Sequence, residues 1–173
     1  MRNITSSLII TTYNWPEALE LVLISVKNQK VFPTEVIIAD DGSKEETKKL
    51  IEKFQKNFPI PLKHIWHEDN GFRRSAILNL SISKITTDYI IQLDGDCIVH
   101  ENFIKDHLNA VEKETYLFGS RVNIQESMLS TLFENKIVSF SYGSKGIKKR
   151  NRNIYLPYLG SLLYSRTNEI SKK

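Results

Sequence analysis

Tyr89-Ile90-Ile91-Gln92-Leu93-Asp94-Gly95-Asp96 sets a short aromatic and β-branched run directly against two acids. The apolar run has the length and composition of a buried strand, and the acids fall at its carboxyl end. Side chains at i and i+2 of extended chain point the same way, so Asp94 and Asp96 can address one point in space. Gly95 between them lets the backbone turn or a ligand approach closely. Two carboxylates aimed at one point suit a hard divalent cation, Mg²⁺ or Mn²⁺, which leaves its other positions to water and substrate phosphates. The same tripeptide also serves as a plain strand-to-loop turn. The surrounding sequence has to decide between the two.

Outward from this strand, the chain repeats one unit. Ser7 to Thr12 is a continuous apolar and β-branched run, typical of a strand covered on both faces. Tyr13-Asn14-Trp15-Pro16 breaks it, and Leu19, Val22, Leu23 and Val26 recur at helical spacing to about Gln29. Glu35 to Ala39 is a second buried strand ending in Asp40-Asp41-Gly42-Ser43. Ser43 and Glu46 have the spacing of a capping box, ahead of a helix whose inner face is Thr47, Leu50, Ile51, Phe54 and Phe58. Pro59 and Pro61 end that helix. Leu62 to Trp66 alternates like a third strand, and the polar loop Asn70 to Arg74 leads into a helix expected to turn Ala76, Ile77, Leu80 and Ile85 inward. Such alternation predicts an α/β fold, a Rossmann-like, mostly parallel sheet flanked by helices. Ligands of such sheets bind at the carboxyl ends of the strands. Three of those ends carry polar groups here: Tyr13-Asn14, Asp40-Asp41 and Asp94-Gly95-Asp96.

Past the acidic tripeptide, Phe103 to Glu112 is expected to be helical, Tyr116 to Ser120 and Arg121 to Ile124 to be short strands, and Leu129 to Phe140 to be a helix. Ser141 to Asn153 is a Gly, Ser and basic segment in which Lys145, Lys148, Lys149, Arg150 and Arg152 stand close together. Such a segment is either a solvated loop or a contact for anionic lipid or diphosphate, with peripheral membrane binding through Lys145 to Arg152 as its consequence. Ile154 to Ser165 returns to a strand-like pattern.

With 173 residues, 40% hydrophobic and 25% charged, one domain over residues 1–173 is expected. A formal charge of +4 does not by itself argue for nucleic acid. The single cysteine, Cys97, excludes an internal disulfide framework and a cysteine-built zinc site. No run of eighteen apolar residues exists and the first residues lead straight into a strand, which predicts a cytoplasmic chain, with the inner face of the membrane as the place where its basic segment would act. Neither G-x-G-x-x-G after the first strand nor G-x-x-x-x-G-K-[ST] is present, so the dinucleotide fingerprint and the P-loop are set aside, and no G-x-S-x-G elbow occurs. His64 and His67 are three apart in extended chain and should not share a metal, which leaves structural or surface roles to the histidines.

Four motifs in order give the chain a resemblance. Ile10-Thr11-Thr12-Tyr13-Asn14, Ile38-Ala39-Asp40-Asp41-Gly42-Ser43, Asn70-Gly71-Phe72-Arg73-Arg74-Ser75-Ala76-Ile77-Leu78-Asn79 and Leu93-Asp94-Gly95-Asp96 together resemble the nucleotide-binding part of inverting glycosyltransferases of family 2. These have the GT-A fold, and the Gly-Phe-Arg segment is most similar to the branch that makes bacterial surface and chondroitin-type polysaccharides. The resemblance implies a UDP-sugar donor, a saccharide or lipid-linked saccharide acceptor, and Mn²⁺ or Mg²⁺. It implies that residues 1–110 bind the donor and that residues 111–173 begin the acceptor half.

By the same resemblance, Thr11 and Tyr13 line the base pocket, Asp41 accepts a hydrogen bond from the uracil imide, Arg73 approaches base or phosphates, Asp94 serves the ribose and the metal, and Asp96 holds the metal. Many relatives have Arg-Asn where this chain has Leu78-Asn79, so the basic contact falls to Arg73. The family places its catalytic base in an acidic segment after a Gly-containing strand. Leu159 to Arg166 resembles the start of that strand, and the sole acid between Asn135 and Lys173 is Glu169. A chain incomplete at its C-terminal side is therefore expected, with no residue assigned as base and with apolar surface near Ile154 to Tyr164 that would drive dimerisation. Two other readings remain: a non-catalytic nucleotide-sugar-binding module, and a sugar nucleotidyltransferase, whose basic triphosphate loop Thr12 to Pro16 does not supply.

Overall fold

The computed structural model describes residues 4–153 and Tyr155. Two compact units share them: one runs to Phe118 and takes in Ser130–Ser139, the other comprises Gly119–Leu129 and the residues from Phe140 onward. The expected strand at Ile154 to Ser165, the Gly160 segment and Glu169 lie outside the described residues, apart from Tyr155.

The first unit is built on four parallel strands, β1 (Ser6–Thr12), β2 (Glu35–Asp40), β3 (Leu62–Trp66) and β4 (Tyr89–Asp94), in the order β3-β2-β1-β4. Helices α1 (Pro16–Lys27), α2 (Glu45–Gln55) and α3 (Arg74–Ile82) connect them, and α4 (Phe103–Ala110) follows. This is the α/β architecture expected. β1 and β2 are central, and every residue of β2 is buried. Leu8, Ile10, Val36, Ile38 and Ile91 meet Leu19, Val22, Leu23 and Val26 of α1, Ile51 of α2 and Ile104 of α4. On the other face Ile9 and Ala39 pack against Ile77 of α3, with Leu78 and Ile85 beside it. Strands covered on both faces need apolar side chains at consecutive positions, which is why β1 and β2 read as unbroken runs.

Several local expectations fail for physical reasons. Leu80 is 39% exposed and does not face the sheet. The buried stripe of α3 is Ile77 and Ser81, flanked by Leu78, so polar Ser81 takes the place that hydrophobicity gave to Leu80. The capping box at Ser43 does not form. Helix α2 begins at Glu45 after Lys44, without a side-chain cap. Ser43 Oγ instead accepts the Asn14 N–H at 2.9 Å, while Asn14 Oδ1 accepts the Lys44 N–H at 2.8 Å. The serine is spent on joining two loops.

Tyr116 to Ser120 is not a strand, and its Tyr116 and Phe118 rings lie exposed and edge-on to each other at 4.9 Å. Aromatic residues favour strands only where a neighbouring strand receives them. The next expected strand shrinks to β5 (Asn123–Ile124), which pairs antiparallel with β6 (Ile147–Lys148) in the second unit. Helix α5 (Leu129–Asn135) stops well short of Phe140. Lys136 adopts φ +51 there, and the Ile137 N–H donates to the Leu132 carbonyl at 3.2 Å, the pattern of a Schellman end.

Candidate functional site: a cluster of acids at the strand ends

The carboxyl ends of β1, β2 and β4 lie side by side because of their register. Thr11 pairs with Asp94 and Thr12 with Asp40. The carbonyls at the end of β1 then hold both neighbouring loops: the Gly95 N–H donates to Thr11 at 2.7 Å and the Asp41 N–H to Thr12 at 3.0 Å. A Cβ on Gly95 would fall 2.6 Å from the Thr11 carbonyl oxygen, so the close approach that glycine permits at this position is made by the chain itself.

Asp94 and Asp96 come together as their spacing requires. One ligand atom from each, with the Cys97 thiol, forms a set whose members all lie within 4.8 Å of one another. Two carboxylate oxygens at this spacing could close on one hard divalent cation, whereas the thiol is not a ligand that Mg²⁺ or Mn²⁺ favours. Asp96 is exposed, and Cys97 Sγ stands 3.5 Å from Asp96 Oδ1.

Of the residues expected to line a base pocket, Asp41 is the most enclosed. This carboxylate is only 5% exposed. Its Oδ1 lies 2.6 Å from His67 Nε2, and its Oδ2 accepts the backbone N–H of Arg73 at 3.0 Å. Tyr13 is half exposed, and its hydroxyl donates to Asp69 Oδ2 at 2.9 Å. That hydrogen bond, reinforced by the charge of Asp69, raises the tyrosine above its ordinary pKa. Thr11 Oγ1 stands 3.5 Å from Asp94 Oδ1, at the outer limit of a hydrogen bond.

Arg73 reaches Asp41 through its main chain, and its side chain is exposed. The guanidinium that meets the acids belongs to its neighbour: Arg74 Nη2 donates to Asp94 Oδ1 at 2.7 Å. Sequence reasoning passed over Arg74, although the signal was there, since Arg74, Ile77, Leu78 and Ser81 share one stripe of α3 while Arg73 precedes the helix. His64 and His67, for which the sequence suggested structural or surface roles, each take a different aspartate. His64 Nε2 lies 2.9 Å from Asp40 Oδ2 and His67 binds Asp41. Fully buried Asp40 also accepts the Ser43 N–H at 2.8 Å, so it braces the turn ahead of α2 and does not cap the helix itself. The pairing register Asp40 with Trp66 makes Asp41 with His67 the next step beyond the strands. A cavity of about 320 Å³ lies nearby, lined by Ser43, Lys44, Glu45, Lys48, His64 and Trp66. None of the acids of the cluster lines it.

A mostly parallel sheet flanked by helices, with its polar loops gathered at the strand ends, is the arrangement of the GT-A fold. Solved structures share it: Staphylococcus aureus TarS 1-349 superposes with a TM-score of 0.51 at 22% identity, over 61% of this chain and 32% of that one. The mannosyltransferase PcManGT from Pyrobaculum calidifontis, solved with GDP-Man and Mn²⁺, gives 0.57 at 17% identity, over 79% of this chain and 39% of that one. The chain belongs to glycosyl transferase family 2, whose model matches residues 7–168. It is 31% identical to a chondroitin synthase of Pasteurella multocida over 69% of its length and 12% of that protein's. To a hyaluronan synthase of the same organism it is 37% identical over 52% of this chain and 9% of that one. The chain thus spans about a tenth of the length of these two relatives.

Proposed function

We propose that the chain is the donor-binding part of a glycosyltransferase that moves a sugar from a nucleotide sugar, a UDP-sugar, to a saccharide or lipid-linked saccharide acceptor. The observation that carries the reading is the convergence of Asp41, Tyr13 and the Asp94-Gly95-Asp96 turn at adjacent ends of one parallel sheet. The names of similar proteins support it. Chondroitin and hyaluronan synthases are among the relatives, and TarS has been solved with UDP-GlcNAc.

In this reading the Tyr13 ring stacks on the nucleobase, a contact worth about 1–3 kcal/mol on truncation. Asp41 accepts the imide N–H, and Thr11 borders the pocket. Arg73 and the neighbouring Arg74 bring positive charge toward the phosphates, where a planar guanidinium can bind in a bidentate manner. Asp94 serves the ribose and the metal, and Asp96 the metal. Mn²⁺ or Mg²⁺ held there would supply positive charge to offset that of the departing diphosphate. Residues 1–110 take the donor-binding role. Among the described residues, no helix is long and apolar enough to cross a membrane. Lys145 to Arg152, in the second unit, would supply contact with an anionic lipid surface.

A thermal-shift panel of UDP, GDP and CDP sugars with Mn²⁺ or with EDTA tests the reading. A ligand at a hundred times its Kd stabilises by about 2.7 kcal/mol. UDP-sugars with Mn²⁺ should give the largest shift, and Asp96→Ala should remove the dependence on metal while leaving the protein folded. Equal UDP affinity with Mn²⁺ and with EDTA would refute the metal role, and no shift with any nucleotide sugar would refute the donor site.

A further inference from the structure

We infer that His67 makes the pocket select a base that carries a ring N–H: it is a positioning residue that acts through Asp41, and the inference rests on the reading that the base docks there. The argument starts from the burial of Asp41. A carboxyl group 5% exposed must have its hydrogen-bonding capacity met by the protein or by ligand. Two donors meet part of it, His67 Nε2 at Oδ1 and the Arg73 N–H at Oδ2. A carboxylate offers about four lone-pair sites, so two remain, and both can only accept.

An acceptor fixed in this way discriminates between bases. The ring nitrogen at the pairing edge carries a proton in uracil and in guanine and carries a lone pair in cytosine and in adenine. Against the first two Asp41 gains a hydrogen bond, and against the others two acceptors face each other in a buried place. A buried polar group left unpaired lowers affinity by roughly 10- to 100-fold.

The His67 side chain, not the Arg73 amide, is the variable part of this clamp. Asp41 sits just past the end of β2, where the pairing with β3 no longer constrains it. With the imidazole removed, one backbone N–H would hold the carboxyl group at one oxygen, and the group could rotate. His64 cannot substitute, because its ring is engaged with Asp40 at 2.9 Å. The two aspartates and two histidines form two separate pairs, one bracing the turn and one presenting an acceptor.

The test is the ratio of UDP to CDP affinity, measured by calorimetry on the 173-residue chain at constant Mn²⁺, for the wild type, His67→Ala and His67→Gln. Wild type should prefer UDP by roughly 100-fold. His67→Ala should shrink that ratio about tenfold or more, and His67→Gln, whose amide can still donate to Oδ1, should keep most of it. Should His67→Ala fail to fold, His67→Leu against His67→Gln compares no donor with a donor at similar size. An unchanged ratio in a folded variant without a donor overturns the inference and leaves the docking reading intact. No preference for UDP in the wild type overturns both.

Discussion

Substituting Gly42 by alanine strikes the point where the loop between β3 and α3 is seated. Gly42 has φ +94, and a Cβ built there would lie 2.6 Å from Asp69 Cα, 2.7 Å from its nitrogen and 2.8 Å from its Cβ. These are backbone and near-backbone atoms that cannot swing aside, so Asp69 would have to move by most of an ångström. The left-handed conformation costs alanine about 1–2 kcal/mol. Moving Asp69 also endangers its bonds from the Tyr13 hydroxyl and from the Gly71 N–H, each worth about 0.5–1.5 kcal/mol and, being exposed, at the lower end of that range. The expected loss is about 2–4 kcal/mol, a fall in melting temperature of roughly 5–15 °C for a chain of this size. Gly71→Ala is the control. It has φ +82 but nothing within 4 Å of the added methyl, so it should lose the conformational part alone. Thermal unfolding followed by circular dichroism measures both. A Gly42→Ala loss no larger than that of Gly71→Ala would refute the seating of Asp69 on Gly42.

Two further outcomes can be stated. Ile77→Ala, which empties a fully buried place between α3 and the sheet, should cost about 2–5 kcal/mol, whereas Leu80→Ala should cost under about 1 kcal/mol; urea denaturation curves that reversed this order would overturn the assignment of the α3 face. Burial holds His107 below its ordinary value of 6.5, against the opposing charge of Asp106, and its Nδ1 lies 2.9 Å from the Tyr89 hydroxyl. The unfolded chain therefore binds a proton more readily than the folded one, so stability should fall as pH drops from 6.5 toward the lowered value and level off above 6.5. Denaturation midpoints measured between about pH 5 and 8 should show this slope, reduced in His107→Gln.

The backbone of this protein was legible because its signals are redundant. In β1 and β2 an unbroken apolar run, a polar stop and a following 3.6-residue stripe all point to one arrangement, and parallel pairing of such units leaves few alternatives. The Asp94 and Asp96 meeting was legible for the same reason, since it depends on two residues of one strand end. What escaped were pairings between side chains from different elements. Nothing in the spacing of His67 and Asp41 reveals that they touch; only the register of β2 against β3 does. Ser43 carried a helix-start signal and lost it to Asn14, 29 residues earlier, because a long-range donor reached its hydroxyl first. Tyr116 to Ser120 had strand composition without a strand beside it, and composition cannot supply a partner.

The same division explains how the site combines order with access. Its frame is main chain: the Thr11 and Thr12 carbonyls hold the Gly95 and Asp41 amides, and both threonines belong to a strand whose Ile9 and Ile10 are fully buried. The distance from the acceptor Asp41 to the acidic turn is therefore set by the sheet, and surface motion alters it only by breaking core pairing. The groups that would touch a ligand lie outside that frame. Tyr13, Arg73 and Asp96 are exposed, and Phe72 is 90% exposed. The segment between β3 and α3 joins the two sets. It pairs with no strand of the sheet, and it is tied to the frame by the contact at Gly42, by His67 on Asp41 and by the Arg73 amide. Two of those three ties end on Asp41. A change at that one carboxylate should accordingly loosen a whole loop as well as remove an acceptor, so its effect on nucleotide binding should exceed the value of a single hydrogen bond.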